Sequence, residues 1–468
     1  MNTLIVLRVA YGALLLATLI SALPHARRYF LSERWGGYAK SSGWVDWLHN
    51  PVAMPIVLAV WMASAACLVA GIGVVWAAGV NLALCHYFFI QMRWRGVLRG
   101  MGAPGFIAYW LGAAVFIVEL TARYAPGAAG IGLLTLRIDF GLIMLSAGLY
   151  KRVAGYRSGN GMELGMANPE WGYWAPRWSA WPPRHGLFRV LNEAAWGTEV
   201  GAGLLMLIPQ TRWAGGLAMA LSFVFIATQI RLGFLCEMVI VACLLFAPVT
   251  LPASGGPIAA HAVLERGLVS FFVAYLLLLP LARAGLFYNQ LAHRPLPRLL
   301  QRGLDAFANA FGLILWRVFS ADVVNFFVRI WEESPDGERR LVSDYVGWPW
   351  TNRFRQVAEC IAITSIFTTR RYYPSNQPLF VERLLRYART IPHDPAGRLM
   401  FEWVDVARPA NRFAYVPVAE YRVDVRNGTV EDTTLVGTFA VEAPAPSSPV
   451  HEGVRPGSYA PAHPRRSA

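Results

Sequence analysis

Lysine is almost missing from this chain. Of its 42 Lys+Arg positions, only Lys40 and Lys151 are lysine. Arginine holds its proton in any protein setting, whereas a buried lysine can release one. Lys151 closes the apolar run Leu133 to Tyr150, which makes it the first residue to ask about chemistry. Charge of either sign is also scarce. Charged residues make up 15% of the chain and hydrophobic residues 56%, with a mean hydropathy of +0.40. That balance excludes an ordinary soluble globular protein. Cysteine is sparse too: Cys67, Cys85, Cys236 and Cys243 sit in apolar runs, Cys360 stands apart, and no CxxC spacing occurs. A disulfide framework and a zinc site are therefore not expected, and no metal is expected elsewhere. There is no phosphate-binding glycine loop and no internal repeat. The net charge is +14. Its cations border apolar runs rather than striping a soluble domain, so nucleic acid is not an expected partner.

What the chain has is long apolar runs. About nine exceed or approach the roughly 18 residues that cross a bilayer. They fall near 3–23, 52–70, 72–91, 104–122, 130–150, 193–209, 214–231, 234–252 and 262–283. The first lacks a basic start and carries Arg8, so it reads as a retained span rather than a cleaved signal. Between the runs lie loops rich in tryptophan and arginine. Loop 24–50 holds Arg27, Arg28, Trp35, Trp44 and Trp47. Loop 151–192 holds Trp171, Trp174, Trp178 and Trp181. Such residues favour the headgroup layer of a membrane, so membrane lipids are expected partners and these loops are expected as surface helices or a lid.

The expected architecture is an all-helical membrane bundle of about eight to ten spans with a small soluble α+β domain at the C-terminal end. The bundle covers 1–285, and a basic linker with an amphipathic surface helix covers 286–324. The α+β domain covers 325–442, and a Pro/Ser/Arg-rich tail expected to be disordered covers 443–468. Within the linker, Ala306 to Phe319 is amphipathic. In the domain, Leu341 to Val346 and Ala414 to Val425 alternate like strands, and Pro378 to Ala388 has helical spacing. Loops 24–50, 92–103, 151–192 and 284–303 carry most loop arginines and both lysines. With nine spans they share one side with the C-terminal domain, and charge counting places that side in the cytoplasm.

The helix ending at Lys151 is the candidate site. Arg137, Gly141, Met144, Gly148 and Lys151 recur at steps of four, three, four and three, which lines them along one face. Glycines let a helix or a flat ligand approach closely, and two cations give the stripe a positive floor. The same stripe also fits a tight helix–helix interface braced by an ion pair. Asp139 lies just off it, with Arg137 or Arg8 as expected partners, because a lone charge in hydrocarbon costs at least ~2.5 kcal/mol. Glu119, Glu193, Glu199, Glu237 and Glu265 lie in or near other apolar runs, and His86 ends the third. A cavity for an amphipathic ligand follows from so many polar groups inside a bundle.

Three stretches carry a resemblance: LRIDFGLIMLSAGLYKRVAGY, then WGYWAPRWSAWPP, then LNEAAWGTEVGAGLLMLIP. Together they are similar to the core shared by vitamin K-dependent gamma-carboxylase-like (HTTM-type) membrane proteins and the lipase maturation factor family. The opening LRVAYGALLL resembles bacterial members, which implies a bacterial inner membrane. The likeness covers about 1–285. It implies that Lys151 is a base acting on a quinone of the vitamin K hydroquinone type, with Arg137 and Arg152 as electrostatic tuners. The pattern departs from the carboxylases in three ways. Tyr150 stands where a second lysine is usual, only His86 stands in for an Asn–His pair, and the C-terminal region is too short for their large β domain. Carboxylation of a peptide is therefore not expected. The maturation factors imply instead a non-enzymatic assembly role toward a client protein. Both families would put the C-terminal domain on the lumenal or periplasmic side, opposite to the charge count.

Overall fold

The computed structural model describes residues 3–92, 102–158, 161–249, 259–292, 296–316, 324–343, 353–372 and 376–434. The long helices are α1 (Thr3–Ala22), α2 (Ala53–Ala70), α3 (Val74–Cys85), α4 (Gly102–Tyr124), α5 (Ala129–Val153), α6 (Gly186–Leu207) and α7 (Arg212–Gln229). They continue with α8 (Leu235–Cys243), α9 (Ala259–Ala292), α10 (Arg298–Phe311), α11 (Arg353–Tyr372) and α12 (Gln377–Ala388). Five strands follow the same order: β1 (Phe326–Glu333), β2 (Arg339–Ser343), β3 (Arg398–Ala407), β4 (Ala414–Asp424) and β5 (Thr429–Thr434).

Six helices among the described residues are long and apolar enough to cross a membrane: Thr3–Phe30, Ala53–Ala70, Val74–Gln91, Pro104–Tyr124, Pro126–Val153 and Ala262–Asn289. The sequence reading counted nine, and the three that drop out adjoin one another. The run at 193–209 belongs to α6, which carries Arg189, Glu193 and Glu199. The run at 214–231 belongs to α7, which Arg212 opens and Gln229 closes. The run at 234–252 yields only the short apolar helix Leu235–Phe246. At 1.5 Å per residue its 12 residues reach about 18 Å, short of a ~30 Å hydrocarbon core.

Local chemistry explains the element ends. The turn between α2 and α3 uses Gly71 (φ 78°) and Gly73 (φ 52°), which adopt left-handed backbone without a Cβ penalty. Lys151 and Arg152 fill the last turn of α5, where cations suit the negative end of the helix. α5 and α6 lie against one another at backbone distance. A Cβ on Gly148 would fall 2.8 Å from the Trp196 carbonyl oxygen, and one on Gly203 would fall 2.7 Å from the Leu145 nitrogen. Small residues are what allow this approach.

The C-terminal region is a five-stranded antiparallel sheet in the order β2-β1-β3-β4-β5. Alternation gives it one dry face and one wet face. On the dry side Phe367 of α11 and Phe380 of α12 meet edge-on, and Phe367 also packs on Trp403 and Tyr421. Charges crowd the other side, where Arg339 reaches Glu333 (3.3 Å) and Glu420 (3.5 Å). The strand read at Ala414 to Val425 and the helix read at Pro378 to Ala388 correspond to β4 and α12. The strand read at Leu341 to Val346 starts earlier, at Arg339, and its last residues lie outside the described residues. The amphipathic helix also starts earlier, at Arg298, and ends at Phe311. The tail 443–468 lies outside the described residues.

The bundle and the sheet share one continuous core, running through Trp316, Val324 and Phe326. Polar contacts reinforce the seam. Glu359 of α11 accepts from Arg28, from Tyr387 and from Tyr29 (2.8 Å). Arg28 Nε also donates to Thr390 Oγ1 (2.8 Å), and Lys40 pairs with Glu382 at 2.5 Å. Asn168 donates to the carbonyls of Val324 and Phe326, both at 2.8 Å. Loops 24–50 and 151–192 therefore sit at the same end of the bundle as the sheet.

Candidate functional site

The Lys151 side chain folds back into the protein instead of reaching out. It is 4% exposed, and its amine is ion-paired with the carboxylate of Glu199. Glu199, 2% exposed, comes from the facing helix α6, so the close α5–α6 contact is what brings the pair together. A buried pair is held by geometry as much as by attraction, since both ions lose their water. Beside it lies a hollow of about 270 Å³ measured between atoms, lined by Ala147, Lys151, Glu199, Phe223, Ile226, Leu232 and Trp316. The hollow is narrow, with room for about one water molecule. Its wall is apolar apart from the pair. The Lys151 amine also lies 5.9 Å from the centre of the Tyr156 ring.

The other residues of the expected stripe are placed differently. Gly141 and Gly148 face the backbone of α6, at Gly203 and Trp196, so they make a helix interface and not a ligand groove. Arg137 lies 14 residues before Lys151, about 21 Å along the helix, too far to tune it. It caps the short helix α8 instead: its Nε donates to the Leu245 carbonyl (2.7 Å) and a terminal nitrogen to that of Ala247 (3.4 Å). A cation satisfying the last carbonyls of a helix that stops inside the bundle is favourable electrostatics. Arg152 is exposed and stacks over Trp196 at 5.2 Å. Glu193 is on the outer side of α6, where it pairs with Arg157 at 3.3 Å and accepts from Trp196 Nε1 at 2.9 Å.

Asp139 pairs with neither Arg137 nor Arg8. Its partner is Arg283 of α9 at 2.6 Å, and Trp110 Nε1 (2.9 Å) and the Tyr275 hydroxyl (3.1 Å) donate to the same carboxylate. Arg8 pairs with Glu119 at 3.3 Å, at the end of the bundle away from Lys151. Glu265 accepts from the Gly127 backbone (3.1 Å), and Glu237 is half-buried early in α8. His86 opens a π-type turn, His86–Gln91, and contacts the carbonyls of Asn309 (3.3 Å) and Ala310 (3.1 Å) at the end of α10. It takes no part in the Lys151 site. No group of three or more potential metal ligands occurs among the described residues.

Two buried acids were not anticipated. Glu163 is fully buried, accepting from the Gly161 backbone (3.1 Å) and from Asn192 Nδ2 (2.7 Å). Burial raises its carboxyl above the usual range, against the lowering effect of those donors. Glu170 is also fully buried, at the seam with α11, where Thr364 Oγ1 (3.5 Å) meets its Oε1 and Cys360 Sγ meets its carbonyl (3.5 Å). Burial holds this carboxyl well above its ordinary value. Both lie in a loop of mixed polarity, where an acid reads as solvated; nothing in their spacing marks them as buried.

Glu170 gives a pH prediction. The folded chain keeps a proton that the unfolded chain releases, so stability falls as pH rises from the ordinary carboxyl range toward the raised value. Glu170→Gln imitates the neutral acid. It is expected to raise stability by about 1–3 kcal/mol at pH 8 and to flatten the pH dependence, read by thermal unfolding in detergent from pH 5 to 9. An unchanged profile would show that Glu170 is not held neutral.

Comparison with known proteins adds no name: no protein family, curated protein or solved structure matches the chain.

Proposed function

We propose that this chain is an integral membrane protein, of a bacterial inner membrane, that binds an amphipathic quinone-like lipid beside the Lys151–Glu199 pair. Lys151 takes a proton from the hydroxyl of the reduced ring. The observation that supports this reading is the placement of one of only two lysines: buried, paired with a carboxylate, and bordering an apolar hollow. A structural cation needs no exchangeable proton, and this sequence otherwise uses arginine for that purpose. In the pair a proton resides on nitrogen or on oxygen, and only the amine–carboxylic acid form offers Lys151 a free lone pair. When the ligand hydroxyl is deprotonated, Lys151 becomes the ammonium and Glu199 balances its charge. A ring enters the hollow only when Phe223 and Trp316 swing aside, which keeps water out between turnovers. The resemblance to carboxylase-like proteins supports the same ligand class.

The test is mass spectrometry of the lipid extracted from purified protein, with Lys151→Arg in parallel. Wild type is expected to carry an isoprenoid quinone in near-equimolar amount, and Phe223→Trp, which fills the hollow, to lose it. Lys151→Arg keeps the charge but cannot release a proton, so quinol deprotonation is expected to drop on the order of a hundredfold. A wild-type extract with no more quinone than an unrelated membrane protein purified alike would overturn the reading. The non-enzymatic assembly role would then be the one left standing, with Lys151→Arg fully functional.

A further inference from the structure

A base buried this deeply needs a route for its proton. Lys151 is sealed on the bundle side by Ala147, Phe223 and Ile226. In the other direction the structure places polar groups in sequence. Tyr156 is 1% exposed and follows α5 by three residues, with its ring 5.9 Å from the Lys151 amine. On its far side is Gly161, wedged so tightly that a Cβ there would sit 2.7 Å from Tyr156 Cδ1 and 2.5 Å from Asn192 Oδ1. Asn192 in turn donates to Glu163 at 2.7 Å. The charges of Glu199, Glu163 and Tyr150, in that order after burial itself, all bear on the Tyr156 hydroxyl. Glu163 in its turn lies within the influence of Arg408, which is exposed. The polar chain thus starts at the hollow and ends at the wet margin of the C-terminal region.

We infer that Tyr156 is a positioning residue that passes protons between the Lys151–Glu199 pair and Glu163, and that Glu163 is the exit toward solvent. This rests on the proposed role of Lys151 and adds the path that such a role needs. Burial holds Tyr156 in its phenol form, so it relays as a rotating hydroxyl that gives one proton while taking another. The proton balance closes without any further reactant. Lys151 receives a proton from the ligand, Glu199 hands one to Tyr156, Tyr156 hands its own to Glu163, and Glu163 releases one to water. Asn192 holds the Glu163 carboxyl by one oxygen, which leaves the acid oriented but not locked by an ion pair.

The scarcity of lysine makes the test direct. Protein labelled with nitrogen-15 at lysine Nζ gives two side-chain signals, from exposed Lys40 and buried Lys151. Their hydrogen exchange with water is measured by NMR on detergent-solubilised full-length chain. Tyr156→Phe keeps the ring and removes the hydroxyl, and Glu163→Gln keeps the shape and removes the acid. Each is expected to slow Lys151 exchange on the order of tenfold or more while Lys40 stays at the wild-type rate. The double variant is expected to be no slower than the slower single. A folded Tyr156→Phe and a folded Glu163→Gln that both exchange Lys151 at the wild-type rate would overturn the relay. Quinone content is measured on the same samples. Slowed exchange in protein that carries no quinone supports the relay and removes only the ligand reading; normal exchange in variants that retain quinone removes only the relay.

Discussion

Replacing Lys151 with methionine is expected to destabilise the folded chain by about 3–5 kcal/mol at neutral pH. The loss does not come from the missing contact alone. Methionine fills most of the lysine stem's space, so packing changes little. What remains is the Glu199 carboxylate, 2% exposed, with its cation gone. A buried charge without a partner costs several kcal/mol, and the chain escapes by protonating it or by opening the α5–α6 contact. Acidification, which lets the orphaned carboxyl take a proton, is expected to recover part of the loss. Lys151→Met/Glu199→Leu removes both ions and is expected to approach wild-type stability or exceed it. The three variants with wild type form a double-mutant cycle, read by thermal unfolding in detergent. A single Lys151→Met variant as stable as wild type would show that the pair is not formed.

The same pair shows what the amino-acid sequence makes legible and what it hides. Lys151 was legible because rarity is a property of composition, and because helix periodicity places it at the end of an apolar run. Glu199 was visible only as one of five acids near apolar runs. Its partnership lies 48 residues away in sequence and depends on how α6 leans on α5, which the glycines permit but do not encode by number. The stripe Gly141–Gly148 was equally compatible with a ligand groove and a helix interface. Only the position of Trp196 and Gly203 decides for the interface. Among the strands, β4 alternates cleanly because one side is wet. β1 begins FFV, buried at each of these positions, and so loses the alternation that marks a strand. Charged loops read as solvated, which concealed Glu163 and Glu170 under the C-terminal region.

Arg283→Met is the second large effect, and it concerns how α9 is held. Only 11% of the central apolar stretch of this helix is buried, so packing alone binds it weakly to the bundle. Its polar anchor is Arg283 on Asp139 at 2.6 Å, with the Tyr275 hydroxyl of the same helix donating to that carboxylate at 3.1 Å. The two contacts lie 8 residues apart, about 12 Å along α9, so together they fix its rotation as well as its depth. Without the guanidinium, Asp139 keeps two neutral donors, Trp110 and Tyr275, which satisfy hydrogen bonding but leave the charge uncompensated. The expected cost is about 3–5 kcal/mol. The expected signature is local: α9 and the adjoining α10 become sensitive to protease before α1 to α5 unfold. Asp139→Asn combined with Arg283→Met removes both charges and keeps neutral hydrogen bonding, so it is expected to regain most of the loss. Hydrogen exchange resolved by peptide mass spectrometry separates the outcomes. If Arg283→Met leaves α9 protected to the same degree as wild type, the anchor lies elsewhere, in the aromatic contacts of Tyr275 with Phe307 and Phe311.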